Sequence, residues 1–192
     1  MRFFLRKFAG FLRIHGSLHE TESDNPGSMR GKHMSTRAIG FLTQKGTPFD
    51  IIKYEHLEKG ARYAAELTGF PLEKTIKTLV VDVGNKQYAL ALMPGNEQLD
   101  VKKFAAVFDG KKAALVEKIT VERLTGYFVG GISPFGLKRA LPAVMHETIL
   151  SHDTVMINGG QRGTMLKMRP EDIVALLKCS IRDIAREEKS QK

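Results

Sequence analysis

Apolar positions recur along the chain in some segments at every second residue, as in a strand, and in others about every 3.6 residues, as in a helix. Together these patterns predict interleaved strands and helices from residue 35 onward. The clearest strand covers residues 75–83, and Gly84-Asn85-Lys86 turns it back into a second strand over 87–93 as a hairpin. Helices are predicted after Ser35, over 61–68, after Asp100, from Thr120 to Gly126 and from Pro170 onward, and further strands over 49–54, 113–116, 143–145, 154–157 and 165–168. Frequent hairpins without a regular βαβ repeat indicate an α+β domain with a mixed sheet.

The last predicted helix carries the most regular apolar stripe. Its buried face is predicted to consist of Ile173, Val174, Leu177, Ile181 and Ile184. Cys179 is expected on the same helix, as a buried apolar thiol and not as a nucleophile.

Residues 1–33 differ from the rest of the chain. A short apolar face among basic residues is followed by a polar stretch rich in glycine, which is typical of a linker. We expect a dispensable N-terminal extension over 1–33, one domain over 34–187 and a C-terminal tail over 188–192. A membrane-surface or organelle-targeting role for the extension is the alternative.

Composition narrows the class of protein. The chain has 192 residues with 30 Lys+Arg against 21 Asp+Glu, a net charge of +9, and this balance favours a polyanionic partner such as nucleic acid. The single cysteine excludes a disulfide scaffold, and no apolar run reaches the roughly 20 residues of a membrane span. We therefore expect a cytoplasmic protein without stable membrane association.

Lys77 is the first candidate for chemistry. Strand alternation places it on the face that carries Leu79, Val81 and Val83. A buried ammonium must be paired or lowered in pKa, so Lys77 is expected to line a cleft and to face a phosphate or carboxylate. The alternative is a lysine at the frayed start of the strand, with its amine in water.

A glycine-rich loop over 126–136 is the second candidate. Gly130 and Gly131, followed by Ser133-Pro134, let the backbone bend sharply and expose N–H groups that can hold an anion or a carbonyl oxygen. A tight structural connection is the alternative. A phosphate-binding P-loop is excluded because Leu137 stands at the position that requires lysine. No metal-ligand or triad spacing is present, and we expect neither a metal nor a cofactor.

Four segments of the chain carry a family resemblance. Residues 53–56 (KYEH), 76–80 (IKTLV), 125–136 (TGYFVGGISPFG) and 159–163 (GGQRG) occur in the order and spacing of the YbaK/EbsC family of aminoacyl-tRNA deacylases, which is related to the editing domain of bacterial prolyl-tRNA synthetases. The resemblance runs from about residue 35 to 185. The segment 125–134 is similar to the branch that clears cysteine mischarged onto proline tRNA.

The resemblance implies a fold, an activity and a site. The fold is a mixed, mostly antiparallel sheet flanked by helices, and the activity is hydrolytic or cyclising removal of an amino acid from the tRNA 3′ end. Catalytic roles fall to Lys77, beside the terminal adenosine, and to Gly130, whose loop presents backbone groups to the aminoacyl moiety. The expected substrate-binding residues are Tyr54, Gly131, Ile132, Ser133, Pro134, Gly160, Arg162, Gly163 and Met165. Aminoacylated tRNA is the expected partner; a prolyl-tRNA synthetase partner and the oligomeric state, monomer or homodimer, stay open.

One position departs from the family pattern. Relatives of the cysteine-specific branch tend to have an aspartate where this chain has Met165. Methionine accepts hydrogen bonds only weakly, so alanine, serine or another small amino acid competes with cysteine as the expected substrate. A non-catalytic tRNA-binding or synthetase-associated module on the same fold is the alternative function.

Overall fold

The computed structural model describes residues 35–58 and 60–186, in which five α-helices accompany one eight-stranded sheet. The helices are α1 (Arg37–Gln44), α2 (Ala61–Thr68), α3 (Val101–Ala106), α4 (Lys118–Thr125) and α5 (Pro170–Leu177). The strands are β1 (Asp50–Lys53), β2 (Thr75–Asp82), β3 (Tyr88–Pro94), β4 (Ala114–Leu115), β5 (Ala143–His146), β6 (Val155–Asn158), β7 (Thr164–Met168) and β8 (Ser180–Arg182). The extension expected over 1–33 and the tail expected over 188–192 lie outside the described residues.

The sheet is mixed, as predicted. Its order is β1-β7-β6-β2-β3-β5-β8, with β4 paired to β2 outside that path. Four of the seven pairings among the described strands are antiparallel, and β2 with β6, β3 with β5 and β5 with β8 are parallel. The sheet therefore joins strands that are far apart in the sequence.

Capping residues close in the sequence determine where several of the helices begin or end. Gly69 closes α2 with a left-handed φ of 66°, and the carboxylate of Asp100 accepts hydrogen bonds from the N–H groups of Lys102 and Lys103 at the start of α3. Two predicted starts were wrong. Thr36 and not Ser35 caps α1, and α4 begins at Lys118, two residues before Thr120.

The predicted length of the last helix was also wrong. Helix α5 ends at Leu177 because Lys178 adopts a left-handed φ of 50°, and the chain then forms β8 along the free edge of β5. Ile181 packs in the apolar cluster that contains Leu92 and Met145, whereas Ile184 packs in the cluster that contains Met93 and Val144. Ile184 lies two residues beyond β8, and because the two isoleucines pack in different clusters they do not share one helical stripe. Cys179 follows the helix, and burial raises the pKa of its thiol to about 11.

Candidate functional site

A cavity of about 320 Å³ opens beside Lys77, and we call it the Lys77 cavity. Strand β2, helix α2 and the loop after α4 form its walls. Its lining is mostly apolar with four polar side chains; the lining residues are Tyr54, Gly60, Ala61, Ala64, Ile76, Lys77, Thr78, Leu79, Val129, Gly130, Ile132, Asn158 and Met165. This volume lies at the small end of the roughly 300–1,000 Å³ range of ligand pockets, so the cavity suits a small chemical group.

The amine of Lys77 is held by backbone carbonyls. Its Nζ donates to the carbonyl oxygen of Glu97 and, at 3.4 Å, to that of Gly95. Burial lowers the pKa of this amine below its usual 10.5, and the Glu97 carboxylate partly opposes the shift. The side chain is half-buried and lines the cavity, so the frayed-end alternative does not describe it.

The turn that holds Lys77 is itself fixed to the protein core. A side chain on Gly95 would collide with backbone of Leu72, because its Cβ would lie 2.8 Å from the Leu72 carbonyl oxygen. The carboxylate of Glu97 lies 3.0 Å from Nε2 of His146, which is only 3% exposed. Nδ1 of His146 accepts the N–H of Ile184. The position of the amine is therefore set by a turn that is anchored through Glu97 to the buried His146.

A gap in the sheet opens strand β2 toward the cavity. On one edge, β2 pairs with β6 at Thr75 and Ile76 and with β4 only from Val81 onward. Thr78 lies between these pairings. In an antiparallel pair, every second residue of β2 directs its backbone N–H and C=O groups to β3. The Val83 N–H donates to the Gln87 carbonyl, so the odd-numbered residues of β2 face β3. The backbone groups of Thr78 therefore point the other way, into the gap. Its side-chain hydroxyl is also buried without a hydrogen-bond partner among the described residues. The hydroxyl is covered by protein, so the polar groups that Thr78 offers at the gap are those of its backbone.

The glycine-rich loop forms a turn over residues 128–131 at the opposite wall. The N–H of Gly131 donates to the carbonyl of Phe128, and Gly130 has a φ of 93°, as a type II turn requires at its third position. The carbonyl of Val129 accepts from the Arg162 guanidinium. Because C=O and N–H point in opposite directions across a trans peptide, the Gly130 N–H points away from Arg162, and Gly130 itself lines the Lys77 cavity.

The turn over residues 159–163 supports the 128–131 turn from behind. A Cβ on Gly131 would lie 2.9 Å from the Cα of Gln161, so only glycine lets the two turns approach this closely. Asn158 joins them, because its amide donates to the Gly130 carbonyl at 3.4 Å and its Oδ1 accepts the Gly160 N–H at 2.8 Å.

A second cavity, which we call the Arg162 cavity, lies beyond these turns. Its volume is about 490 Å³, and it is lined by His56, Phe128, Gly131, Gly160, Gln161 and Arg162. The 128–131 turn contributes to both cavities, with Val129 and Gly130 in one and Phe128 and Gly131 in the other.

The residues predicted from the sequence thus divide into three groups. Lys77, Gly130, Tyr54, Ile132 and Met165 line the Lys77 cavity. Gly131, Gly160 and Arg162 line the Arg162 cavity. Ser133, Pro134 and Gly163 line neither: Ser133 and Pro134 are buried, and the carbonyl of Gly163 accepts the N–H of Tyr54. The roles assigned to all of these residues stay predictions.

The structure also adds residues that the sequence did not single out. Thr78 and Asn158 belong to the Lys77 cavity, and Ala61 and Ala64 bring α2 into its wall. The position of Asn158 between a strand and a glycine turn was the one available signal for it. Within the described residues, no group of three or more His, Cys, Asp or Glu side chains could hold a metal ion, and no helix is long and apolar enough to cross a membrane.

Comparison with known proteins identifies the family of the chain. The family model described as the aminoacyl-tRNA editing domain matches residues 58–176. EbsC of Enterococcus faecalis, named for Cys-tRNA(Pro)/Cys-tRNA(Cys) deacylation, is 32% identical over 158 residues, which cover 80% of this chain and 94% of that protein. The multifunctional Ser/Thr-tRNA deacylase ProXp-y of Escherichia coli is 26% identical over 151 residues, which cover 77% of this chain and 90% of the relative.

A solved structure gives the same result. It is described as a trans-editing enzyme for prolyl tRNA synthetase, is 27% identical, and aligns with a TM-score of 0.73 over 79% of this chain and 96% of that one. The family match covers more than half of the chain, and the relatives are matched over almost their whole length. The chain therefore belongs to the aminoacyl-tRNA editing domain family, as an aminoacyl-tRNA editing deacylase.

Proposed function

We propose that this chain removes a small, uncharged amino acid, with cysteine as the first candidate, from mischarged proline tRNA, acting in trans. The observation that carries the proposal is that Lys77 and Gly130 line one small cavity. An ammonium group and a bent backbone then flank a space that accommodates the aminoacyl ester. The names of EbsC and of the trans-editing structure support cysteine and a prolyl-tRNA synthetase partner, respectively.

The protein's part in this chemistry is to position and stabilise. None of the Lys77 cavity's lining residues is a serine, cysteine, histidine or carboxylate. The Thr78 hydroxyl has no hydrogen-bond partner among the described residues, so no base activates it as a nucleophile. Two carbonyl acceptors favour the charged form of Lys77. The ammonium and the Gly130 N–H are instead suited to stabilise negative charge on the ester carbonyl oxygen.

The attacking group then comes from outside the protein. With cysteine, the substrate's own thiol forms an S–C bond to the ester carbon, the bond from that carbon to the ribose oxygen breaks, and the thiol proton passes to that oxygen. With alanine or serine, a water molecule takes the place of the thiol. Because an aminoacyl ester is already activated, correct positioning and oxyanion stabilisation supply the catalysis.

The test is a panel of tRNAs charged with cysteine, alanine, serine, threonine or proline, incubated with the purified protein, with and without prolyl-tRNA synthetase. We expect cysteine to be released fastest and correctly charged proline to be retained. Release of serine or threonine in preference to cysteine would overturn the substrate assignment. Binding of tRNA without release of any amino acid would instead favour the non-catalytic binding module.

Met165 is expected to set the size of the amino acid that is accepted. Its side chain lines the cavity, is 3% exposed, and packs in one cluster with Ala64 and Met156. Met165→Ala should enlarge the cavity, so that release of larger amino acids rises relative to cysteine. The measurement is the ratio of kcat/KM values across the panel of charged tRNAs, extended to leucine.

Met156→Ala is the matched control for this prediction. Met156 is fully buried in the same cluster but does not line the cavity. Both substitutions should cost about 2–5 kcal/mol of stability, the usual range for a buried methionine. Only Met165→Ala should change the selectivity. An identical selectivity change in both variants would show that lost stability and not cavity size is responsible.

A further inference from the structure

Phe128 is an exposed aromatic side chain beside a site whose other large apolar groups are mostly covered. It is 75% exposed and is the only aromatic among the strongly exposed large hydrophobic residues of the described part of the chain. Burial of a phenylalanine side chain is worth about 1.5–3 kcal/mol, and that gain is not realised here. An aromatic ring held in solvent at the mouth of a binding site indicates a ligand that covers it.

The backbone beneath this ring is rigid. Tyr127, the preceding residue, is buried, and its hydroxyl donates to the carbonyl of Phe135 at 2.7 Å. The Arg37 guanidinium lies 4.5 Å from the centre of the Tyr127 ring. The carbonyl of Phe128 itself closes the 128–131 turn. Because the turn is fixed before a ligand arrives, binding on the ring costs little conformational entropy.

The Arg162 cavity has the composition of a nucleotide site. Beside the Phe128 ring it presents the Arg162 guanidinium, the His56 imidazole and the Gln161 amide, and no carboxylate of the described residues lines it. Arg162 uses Nε and Nη2 on the Val129 carbonyl, so Nη1 is left to meet a phosphate oxygen. A flat apolar ring beside a guanidinium is the combination by which proteins hold single-stranded nucleic acid.

The position next to the Lys77 cavity indicates which segment of a nucleic acid would bind. Successive residues of the 128–131 turn line the two cavities, so a ligand group in the Arg162 cavity lies one short turn away from a group in the Lys77 cavity. We propose that the Arg162 cavity binds a nucleobase of the single-stranded tRNA 3′ end, stacked on Phe128, while the aminoacyl ester occupies the Lys77 cavity. This inference rests on the proposed function and adds a binding subsite to it.

Fluorescence tests the stacking directly, because the chain contains no tryptophan. Phe128→Trp introduces a single indole at the proposed platform, and titration with an uncharged oligonucleotide ending in CCA should quench it saturably. Ile119→Trp, at a position 80% exposed on α4 and outside both cavities, is the control and should not be quenched saturably. An oligonucleotide with abasic 3′-terminal positions should also fail to quench. Equal behaviour of the two variants, or of the two oligonucleotides, would overturn the proposal.

Kinetics of further variants give an independent readout. Loss of one stacked base costs about 1–3 kcal/mol, so Phe128→Leu should raise KM for aminoacyl-tRNA about 5- to 150-fold while kcat stays near the wild-type value. Phe128→Trp should keep the wild-type KM. A wild-type KM in Phe128→Leu would overturn the proposal, because an apolar side chain without a flat ring would then suffice.

Failure of the proposed function gives a different result. Quenching of the Phe128→Trp variant requires nucleobase binding but no ester cleavage. A wild-type protein that releases no amino acid from the charged tRNAs of the panel, combined with saturable quenching, would refute the proposed function and keep the subsite. Deacylation with neither quenching nor a change in KM would refute the subsite alone.

Discussion

Replacement of Lys77 by alanine should lower kcat/KM for aminoacyl-tRNA deacylation by at least about 100-fold, the usual cost of losing a group that stabilises an oxyanion. Among the described residues, its amine is the only cationic group that lines the Lys77 cavity. Its removal leaves the ester carbonyl without that charge, and no second cation lines the cavity to replace it. Release of radiolabelled amino acid from charged tRNA measures the loss.

Stability should respond much less than activity. Burial lowers the pKa of Lys77 in the folded protein, so the unfolded chain binds this proton more tightly. Folding therefore becomes more favourable as the pH rises between the lowered pKa and the ordinary value of 10.5, and at neutral pH the charge opposes folding. Removing it offsets the lost contacts with the Gly95 and Glu97 carbonyls. We expect Tm within about 3 °C of wild type, equivalent to about 1 kcal/mol.

Lys53→Ala is the matched control. Burial also lowers the pKa of Lys53, and its Nζ donates to the Thr164 hydroxyl on the neighbouring strand, but it lines neither cavity. This variant should keep wild-type activity. If Lys77→Ala kept most of its activity with normal Tm, or if both lysine variants lost activity equally, the role proposed for Lys77 would be wrong.

Elements with short-range signals could be predicted from the sequence. The β2–β3 hairpin follows from a turn in which Asn85 and Lys86 take positive φ, and α2 has its predicted ends because Gly69 stops it. Each of these features depends on residues within one turn of each other. The predicted length of the final helix was wrong because it had no such local signal. The apolar spacing over 173–184 does not distinguish a long helix from a short helix followed by a strand.

Only part of the candidate site could be predicted from the sequence in the same way. Lys77 and the glycine loop stand out because an ammonium on an apolar face and adjacent glycines are unusual by themselves. Nothing in the sequence pattern distinguishes Thr78 in this way. Its importance comes from the gap between β6 and β4, which depends on pairings with segments about 35 and 80 residues away along the chain. The division into two cavities likewise requires the contact between Gly131 and the 159–163 turn.

The second large effect is expected at Gly130. Its φ of 93° is strained for any residue with a Cβ, and the Gly130→Ala variant can relieve the strain by rotating the peptide between Val129 and residue 130. That rotation would turn the N–H away from the Lys77 cavity. Because misplacement of a catalytic contact by about 1 Å can cost 100-fold, we expect kcat to fall by about that factor.

Two controls separate the direction of this N–H from other effects. Gly84 has a φ of 101° in an exposed turn, and a Cβ added there would meet nothing within 4 Å, so Gly84→Ala imposes comparable backbone strain away from the site and should keep activity. Ser133→Ala removes a hydroxyl that accepts the Phe135 N–H and lines neither cavity, so its activity should exceed that of Gly130→Ala. Comparable losses in Gly130→Ala and Ser133→Ala would show that the loop acts through its packing and not through a backbone donor.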